Sequence, residues 1–148
     1  MSERSIKFRE VIRPPLWLMA FIYFLAFSLG VAIWAAMTTA IATAVMALLT
    51  VGVIAIYFAA ALLIEVDENE LRVGKAHISK RYCGKSDFLT PTEMSLMRTR
   101  NADPAAFLAI RFWTSHGVKI EISDERDATP YWLVTTKRGG ELIQALKN

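Results

Sequence analysis

From Leu16 to Ile64 the chain runs 49 residues without an aspartate, glutamate, lysine, arginine or histidine. No other feature constrains the fold as tightly. A surface helix of a soluble protein needs a polar face, and its helices rarely exceed about 20 residues. One passage across a bilayer takes roughly 20 apolar residues, so this run is long enough for two. It is too long for the apolar part of a cleaved signal, although Ala35 and Ala36 would offer small residues to a peptidase. Pro14 and Pro15 suit the entry to a first helix, and the polar pair Thr38–Thr39 suits the turn. The spacing predicts helices at about 16–36 and 40–64. Trp17, Tyr23 and Trp34 lie near helix ends, where aromatic rings favour the headgroup level.

Inside the run, Gly30, Ala32, Ala35, Ala36, Ala40, Ala42, Ala44 and Ala47 give the outer half of the hairpin a small-sided face. Such residues let helices approach closely in lipid, and packing of the hairpin on itself is the simpler use. Ser28, Thr43 and Thr50 are able to return their hydroxyls to the helix backbone. An ion or proton pathway would need ionisable groups at depth, and neither span has one.

Charge sets the expected topology. Arg4, Lys7, Arg9 and Arg13 precede the first span, Arg72, Lys75, Lys80, Arg81 and Lys85 follow the second, and the connecting loop has no charge. Positive flanks stay inside, which places both termini of a multi-pass protein in the cytoplasm. The chain then divides into a cytoplasmic basic arm (1–15), the transmembrane hairpin (16–64) and a cytoplasmic β-rich domain (65–148). In that last segment 13 basic residues face 12 acidic ones, too even a balance for a nucleic-acid binder. The five cations after the second span are opposed by Glu65, Asp67, Glu68 and Glu70, which predicts weak, salt-sensitive contact with lipid headgroups.

Beyond the membrane segment the apolar period becomes two. Ile64–Asp67 and Leu71–Val73 flank the turn Glu68–Glu70, and Ala76–Ser79 reads as a further strand. Thr90-Pro91-Thr92-Glu93 has the form of a capping box with proline at the first helical position, opening a short helix to about Arg98. Asn101–Pro104 is a turn, Ala106–Trp113 an apolar strand, and Ser115-His116-Gly117 turns the chain back into the alternating strand Val118–Ser123. After the polar loop Asp124–Pro130 come the strand Tyr131–Thr136 and the amphipathic helix Gly140–Lys147. The expected class is an α+β membrane protein: a two-helix transmembrane hairpin, then a small, mostly antiparallel β domain resembling a pleckstrin-homology-like roll, with a C-terminal helix. A simpler α+β sandwich has the same element order.

The sequence offers few chemical groups. His77, His116 and the lone Cys83 have no metal-ligand spacing, so no metal, cofactor or catalytic residue is expected. The basic surroundings of Cys83 would lower its pKa, but a partly buried, unreactive thiol is the simpler reading. Lys137 and Arg138, ahead of the last helix, are placed to hold an anion with its N-terminal amides, or simply to end a strand in solvent. Asp124 and Asp127 are spaced like turn formers, and Tyr131 and Trp132 follow Pro130 into a strand. Arg111 and Trp113 belong to the preceding strand, within reach of those carboxylates if the strands are neighbours. These eight residues form the candidate binding or structural cluster.

The stretches Ala102-Asp-Pro-Ala-Ala-Phe-Leu108, Arg111-Phe-Trp113 and Asp127-Ala-Thr-Pro-Tyr-Trp-Leu-Val-Thr-Thr-Lys-Arg138 resemble the signature of an actinobacterial membrane family catalogued as domain of unknown function 3093. Arg9-Glu10, Pro14-Pro15-Leu16-Trp17 and Glu141-Leu142 extend the resemblance over nearly the whole chain, while Phe112 and Gly139 stand where prolines are expected. The resemblance implies the same topology in the inner (plasma) membrane, and no assigned activity. The leading functional reading is a non-enzymatic, membrane-tethered interaction or scaffold module with a protein partner and membrane lipids as ligands. The alternatives are an accessory subunit of a larger membrane complex, including a homo-oligomer, and a membrane-surface enzyme or headgroup binder using Asp124, Asp127 and Arg111.

Overall fold

The computed structural model describes residues 5–148, so Glu3 and Arg4 of the basic arm lie outside the described residues. The chain forms two compact units: a helical unit, Arg13–Ala61, and a β unit made of residues 5–12 together with Leu62–Asn148.

The helical unit holds α1 (Leu16–Ala36) and α2 (Thr39–Ala59). Each has 21 residues and is long and apolar enough to cross a bilayer, about 31 Å at the helical rise. Large apolar side chains point outward along both, and only Gly30 and Ala42 are buried. A Cβ on Gly30 would overlap the Met46 side chain, which would have to shift to make room. The hydroxyls of Ser28, Thr43 and Thr50 donate to the carbonyls four residues earlier at 2.8–2.9 Å, removing their polarity from the apolar surface.

The β unit has two four-stranded sheets. The first is an antiparallel meander of β1 (Phe8–Ile12), β2 (Leu62–Val66), β3 (Glu70–Val73) and β4 (Ala76–Ser79). β1 pairs with β2 from Phe8↔Val66 to Ile12↔Leu62, so the two flanks of the helical hairpin are sheet neighbours. The expected N-terminal arm is therefore corrected: residues 8–12 are a strand of the β unit. Phe8, Glu10 and Ile12 are buried while Arg9 and Val11 face out, the period of a half-wet strand. The second helix is corrected too. It ends at Ala59, and Leu62, Ile64 and Val66 alternate into the core of the β unit. A core strand abutting a lipid-compatible helix yields one unbroken apolar run, which hides the boundary.

A 3-10 turn, Lys80–Tyr82, leads to the second sheet, order β5-β7-β8-β6, built from β5 (Cys83–Leu89), β6 (Phe107–Ala109), β7 (Gly117–Ile122) and β8 (Tyr131–Thr135). β8 is central and all five of its residues are buried. The expected strand over 106–113 is only three residues long and runs parallel to β8. The turn at 115–117 reverses the chain, yet β7 pairs with β5 and β8 instead of β6. Thr135 Oγ1 ends the β6–β8 pairing by donating to Ala109 O at 3.2 Å and accepting from Arg111 N at 3.0 Å.

Two helices close the unit. Helix α3 (Pro91–Arg98) opens with the full capping box, Thr90 Oγ1 accepting from Glu93 N and Glu93 accepting from Thr90 N at 2.8 Å. Helix α4 (Gly139–Lys147) packs Leu142 and Ala145 onto a core shared by both sheets, with Ile64, Leu71, Val118, Ile120 and Trp132 among its members. At the β3–β4 turn Gly74 takes φ +62°, a left-handed conformation that favours glycine.

Candidate functional site

The eight candidate residues do not converge; they fall at opposite ends of β8. Before β8 comes the loop holding Asp124 and Asp127. Asp124 Oδ1 accepts from Arg126 N at 3.0 Å and pairs with Arg126 Nε at 3.5 Å. Asp127 Oδ1 accepts from Thr129 N at 2.9 Å, and hydrogen bonding from Thr129 holds this carboxyl below its ordinary value. Both carboxylates close local turns. Arg126 continues to Tyr82 Oη at 3.0 Å, fastening the loop to the 3-10 turn.

Arg111 sits at the other end of β8, its amide held by Thr135. The strand separates it from the Asp124–Asp127 loop by on the order of 15 Å. The sequence expectation that Arg111 and Trp113 pair with those carboxylates fails because β6 lies parallel to β8. Arg111 instead directs Nη1 to Ile110 O at 3.2 Å. Trp113 packs against the core with its Nε1 buried and without a hydrogen-bond partner, and meets Phe112 edge-on at 4.9 Å. Trp132 is 5% exposed, its ring 4.5 Å from Phe107. Tyr131 is buried as well; its hydroxyl accepts from Asp103 N and donates to Asn101 O, pinning that turn.

The densest polar arrangement surrounds Lys137 and Arg138. Its centre is Glu10, a 9%-exposed glutamate on the core-facing row of β1. Glu10 Oε2 accepts from Thr136 Oγ1 at 2.5 Å and Oε1 from Lys137 N at 3.1 Å. Thr136 Oγ1 in turn accepts from Arg138 N at 3.0 Å. The Arg138 guanidinium pairs with Glu141, stacks over Phe8 at 5.2 Å and reaches Arg9 O at 3.4 Å. Its hydrogen bond to Glu141 raises its pKa further above the ordinary value and lowers that of Glu141. One of the two readings of Lys137 and Arg138, an anion near this helix start, has a counterpart within the chain: the Glu10 carboxylate accepts from Thr136 and the Lys137 amide, just ahead of α4. The sequence reading misses Glu10 because it places residues 1–15 together in a basic arm. Its place between alternating Phe8 and Ile12 was the available signal.

The remaining reactive side chains are quiet. Burial pushes the Cys83 thiol up to about 11, opposite to the lowering its basic neighbours suggest. His77 is exposed, and His116 stacks on Phe88 at 5.7 Å. Among the described residues no three His, Cys, Asp or Glu side chains are grouped to hold a metal ion. A groove of about 410 Å³ between Lys7, Phe8, the α4 residues Glu141 and Gln144, and Asn148 has no nucleophile–base pair among its described lining residues.

The model of a family described as "Protein of unknown function (DUF3093)" matches residues 7–146, from the start of β1 to the end of α4, and the chain belongs to that family. No curated protein and no solved structure matches it.

Proposed function

We propose that this chain is a non-enzymatic interaction or scaffold module, anchored in the plasma membrane by α1 and α2 with both termini in the cytoplasm. The observation that carries this reading is the insertion of the apolar hairpin between two paired strands. Three residues join Ile12 to α1 and two join Ala59 to β2, so the β unit is tethered twice. Two short covalent links keep the β unit within reach of its anchor, which suits display of a surface at the membrane. Two sheets sharing one core, closed by α4, support a pleckstrin-homology-like roll with the hairpin in place of its first turn.

The non-enzymatic part is supported by how the polar groups are used. Asp124 and Asp127 close turns, Arg111 lies at the far end of β8, and the Cys83 thiol stays protonated at neutral pH. Affinity purification of the full chain from native membranes, followed by mass spectrometry, tests the reading. A partner lost on charge reversal at exposed β-unit residues supports it. An enzymatic activity abolished by Asp124→Asn in a folded protein would overturn it.

A second reading, an accessory subunit or homo-oligomer, draws on a groove of about 530 Å³ between the helices. Leu16, Met19, Tyr23, Val53, Ile54 and Tyr57 line it, at the end away from the Gly30–Met46 contact. An apolar groove of that form accepts a third helix, and a fixed stoichiometry in mild detergent would favour this alternative.

A further inference from the structure

The β unit has two chemically different ends. At one, Ile12 and Leu62 pair and hand the chain to the helices. Gly74 N bonds Leu63 O at 2.7 Å, which brings the β3–β4 turn and Lys75 to the same end. Two residues back along β1, Glu10 binds Thr136 and the Lys137 amide, so the end of β8 and Lys137 are fastened alongside. Thr135 then holds the loop Arg111–Thr114 next to them. Arg98 donates to Thr114 O at 3.1 Å and Thr114 N to Arg111 O at 3.1 Å, giving that loop a set shape. At its tip Phe112 is 69% exposed, the most exposed large apolar side chain among the described residues of the β unit.

Among the described residues, the carboxylates near this end are engaged. Glu10 is buried, Glu141 pairs with Arg138, Glu65 with Arg9, and Glu93 caps α3. The opposite end carries Asp67 and Glu68 in the β2–β3 turn, Glu70 at the start of β3, and Asp124, Glu125 and Asp127 in the loop before β8, set against Lys80, Arg81 and Arg126. Sequence proximity to the second span therefore misleads: Lys80 and Arg81 follow it closely but lie beyond the far end of β4. The β-unit cations brought to this end are Lys75 and Lys137.

We infer that this end rests on the anionic lipid headgroups of the leaflet that the helices enter, with Phe112 inserted at the interface and Lys75 and Lys137 flanking it. The inference rests on the membrane reading above. The three residues Arg13–Pro15 keep Ile12 within about 14 Å of Leu16, so the cations cannot move far from the headgroups. An exposed aromatic beside lysines is the composition that favours such an interface, and attraction there falls off over a Debye length.

The test uses the full chain in nanodiscs, with an environment-sensitive fluorophore on Phe112→Cys in a Cys83→Ser background. Discs of phosphatidylcholine alone are compared with discs containing phosphatidylglycerol. The expected result is a blue shift that requires the anionic lipid, is reversed by high salt and is lost in Lys75→Glu/Lys137→Glu. The same fluorophore on Glu125→Cys, at the far end, should not respond. Equal emission in the two discs, or an equal shift at position 125, would overturn the inference. So would a shift at position 112 that appears only on adding membrane extract, since a protein would then cover this end. Co-migration of the chain with the discs is scored separately: failure there refutes the membrane reading itself. Thermal unfolding of each variant confirms that it is folded.

Discussion

Replacing Glu10 by alanine is the sharpest test of the clasp between β1 and the link from β8 to α4. The carboxylate receives two hydrogen bonds, from the fully buried Thr136 hydroxyl and the Lys137 amide. Each hydrogen bond to a charged group contributes about 1.5–3 kcal/mol. Removing the acceptor also leaves the Thr136 hydroxyl short of a partner, while relief of the carboxylate's desolvation acts in the other direction. The net expectation for Glu10→Ala is a loss of about 2–4 kcal/mol. Glu10→Gln keeps the shape and one acceptor oxygen, and the Thr136 hydroxyl can rotate to accept from its amide, so about 1 kcal/mol is expected. For a unit of this size 1 kcal/mol moves the melting temperature by about 4–8 °C, so alanine should lower it by on the order of 10 °C or more. The assay is tryptophan fluorescence melting of the full chain in nanodiscs, with hydrogen exchange read over 8–12 and 136–142. A double-mutant cycle with Thr136→Val should return a coupling of about 1 kcal/mol or more. An alanine variant that melts within a degree of the parent and keeps its exchange protection in both segments would refute the clasp.

Other outcomes follow from the same geometry. Trp132→Ala should cost about 3–5 kcal/mol, because the ring is buried against Phe107, and a fully stable variant would contradict its core placement. Gly117→Ala should cost about 1–3 kcal/mol by overpacking, since the added Cβ meets Val134 O at 2.7 Å as well as the Met94 side chain; chemical denaturation checks it. The Cys83 thiol, raised to about 11, should react with maleimide far more slowly in the folded chain than in the unfolded chain at pH 8. A raised thiol pKa means the folded state holds the proton longer, so stability should fall as pH rises from about 9 to about 11, measurable as a decreasing denaturation midpoint. For topology, a cysteine at Thr38 should label from outside intact cells and one at Asn148 should not; the reverse pattern refutes the proposed orientation.

Where sequence and structure agree, the signal is local. The first helix needed only the apolar run and Pro14-Pro15 to mark its start, and it spans Leu16–Ala36 as expected. The capping box at Thr90–Glu93 specifies its own hydrogen bonds within four residues. The strands 76–79, 118–123 and 131–136 were legible because one face of each alternates or because a short apolar run sits between turns. The turn roles of Asp124 and Asp127 lie within two residues of their donors. The candidate site was misread where it depended on strand order. Arg111 would lie close to the Asp124 loop if β6 ran antiparallel to β8, and it is remote because β6 runs parallel to β8.

What the amino-acid order by itself determined is therefore the pair of apolar helices, the positions of most strands and the short-range caps and turns. Each arises from interactions between residues a few positions apart, or from an unbroken absence of charge. Only the tertiary structure decided that Phe8–Ile12 is a sheet strand, because its partner Leu62–Val66 lies some fifty residues away across the helical hairpin. The same pairing ended α2 at Ala59: Leu62 and Ile64 are as apolar as a lipid-facing helix, and only the core they fill distinguishes them. It also turned Glu10 from one charge of a loose arm into a buried clasp. Finally, it separated cations adjacent in sequence, placing Lys75 where the chain leaves the β unit and Lys80 and Arg81 at its opposite end. Charge in a sequence is counted by position along the chain, whereas a surface is charged by which strand ends fold side by side.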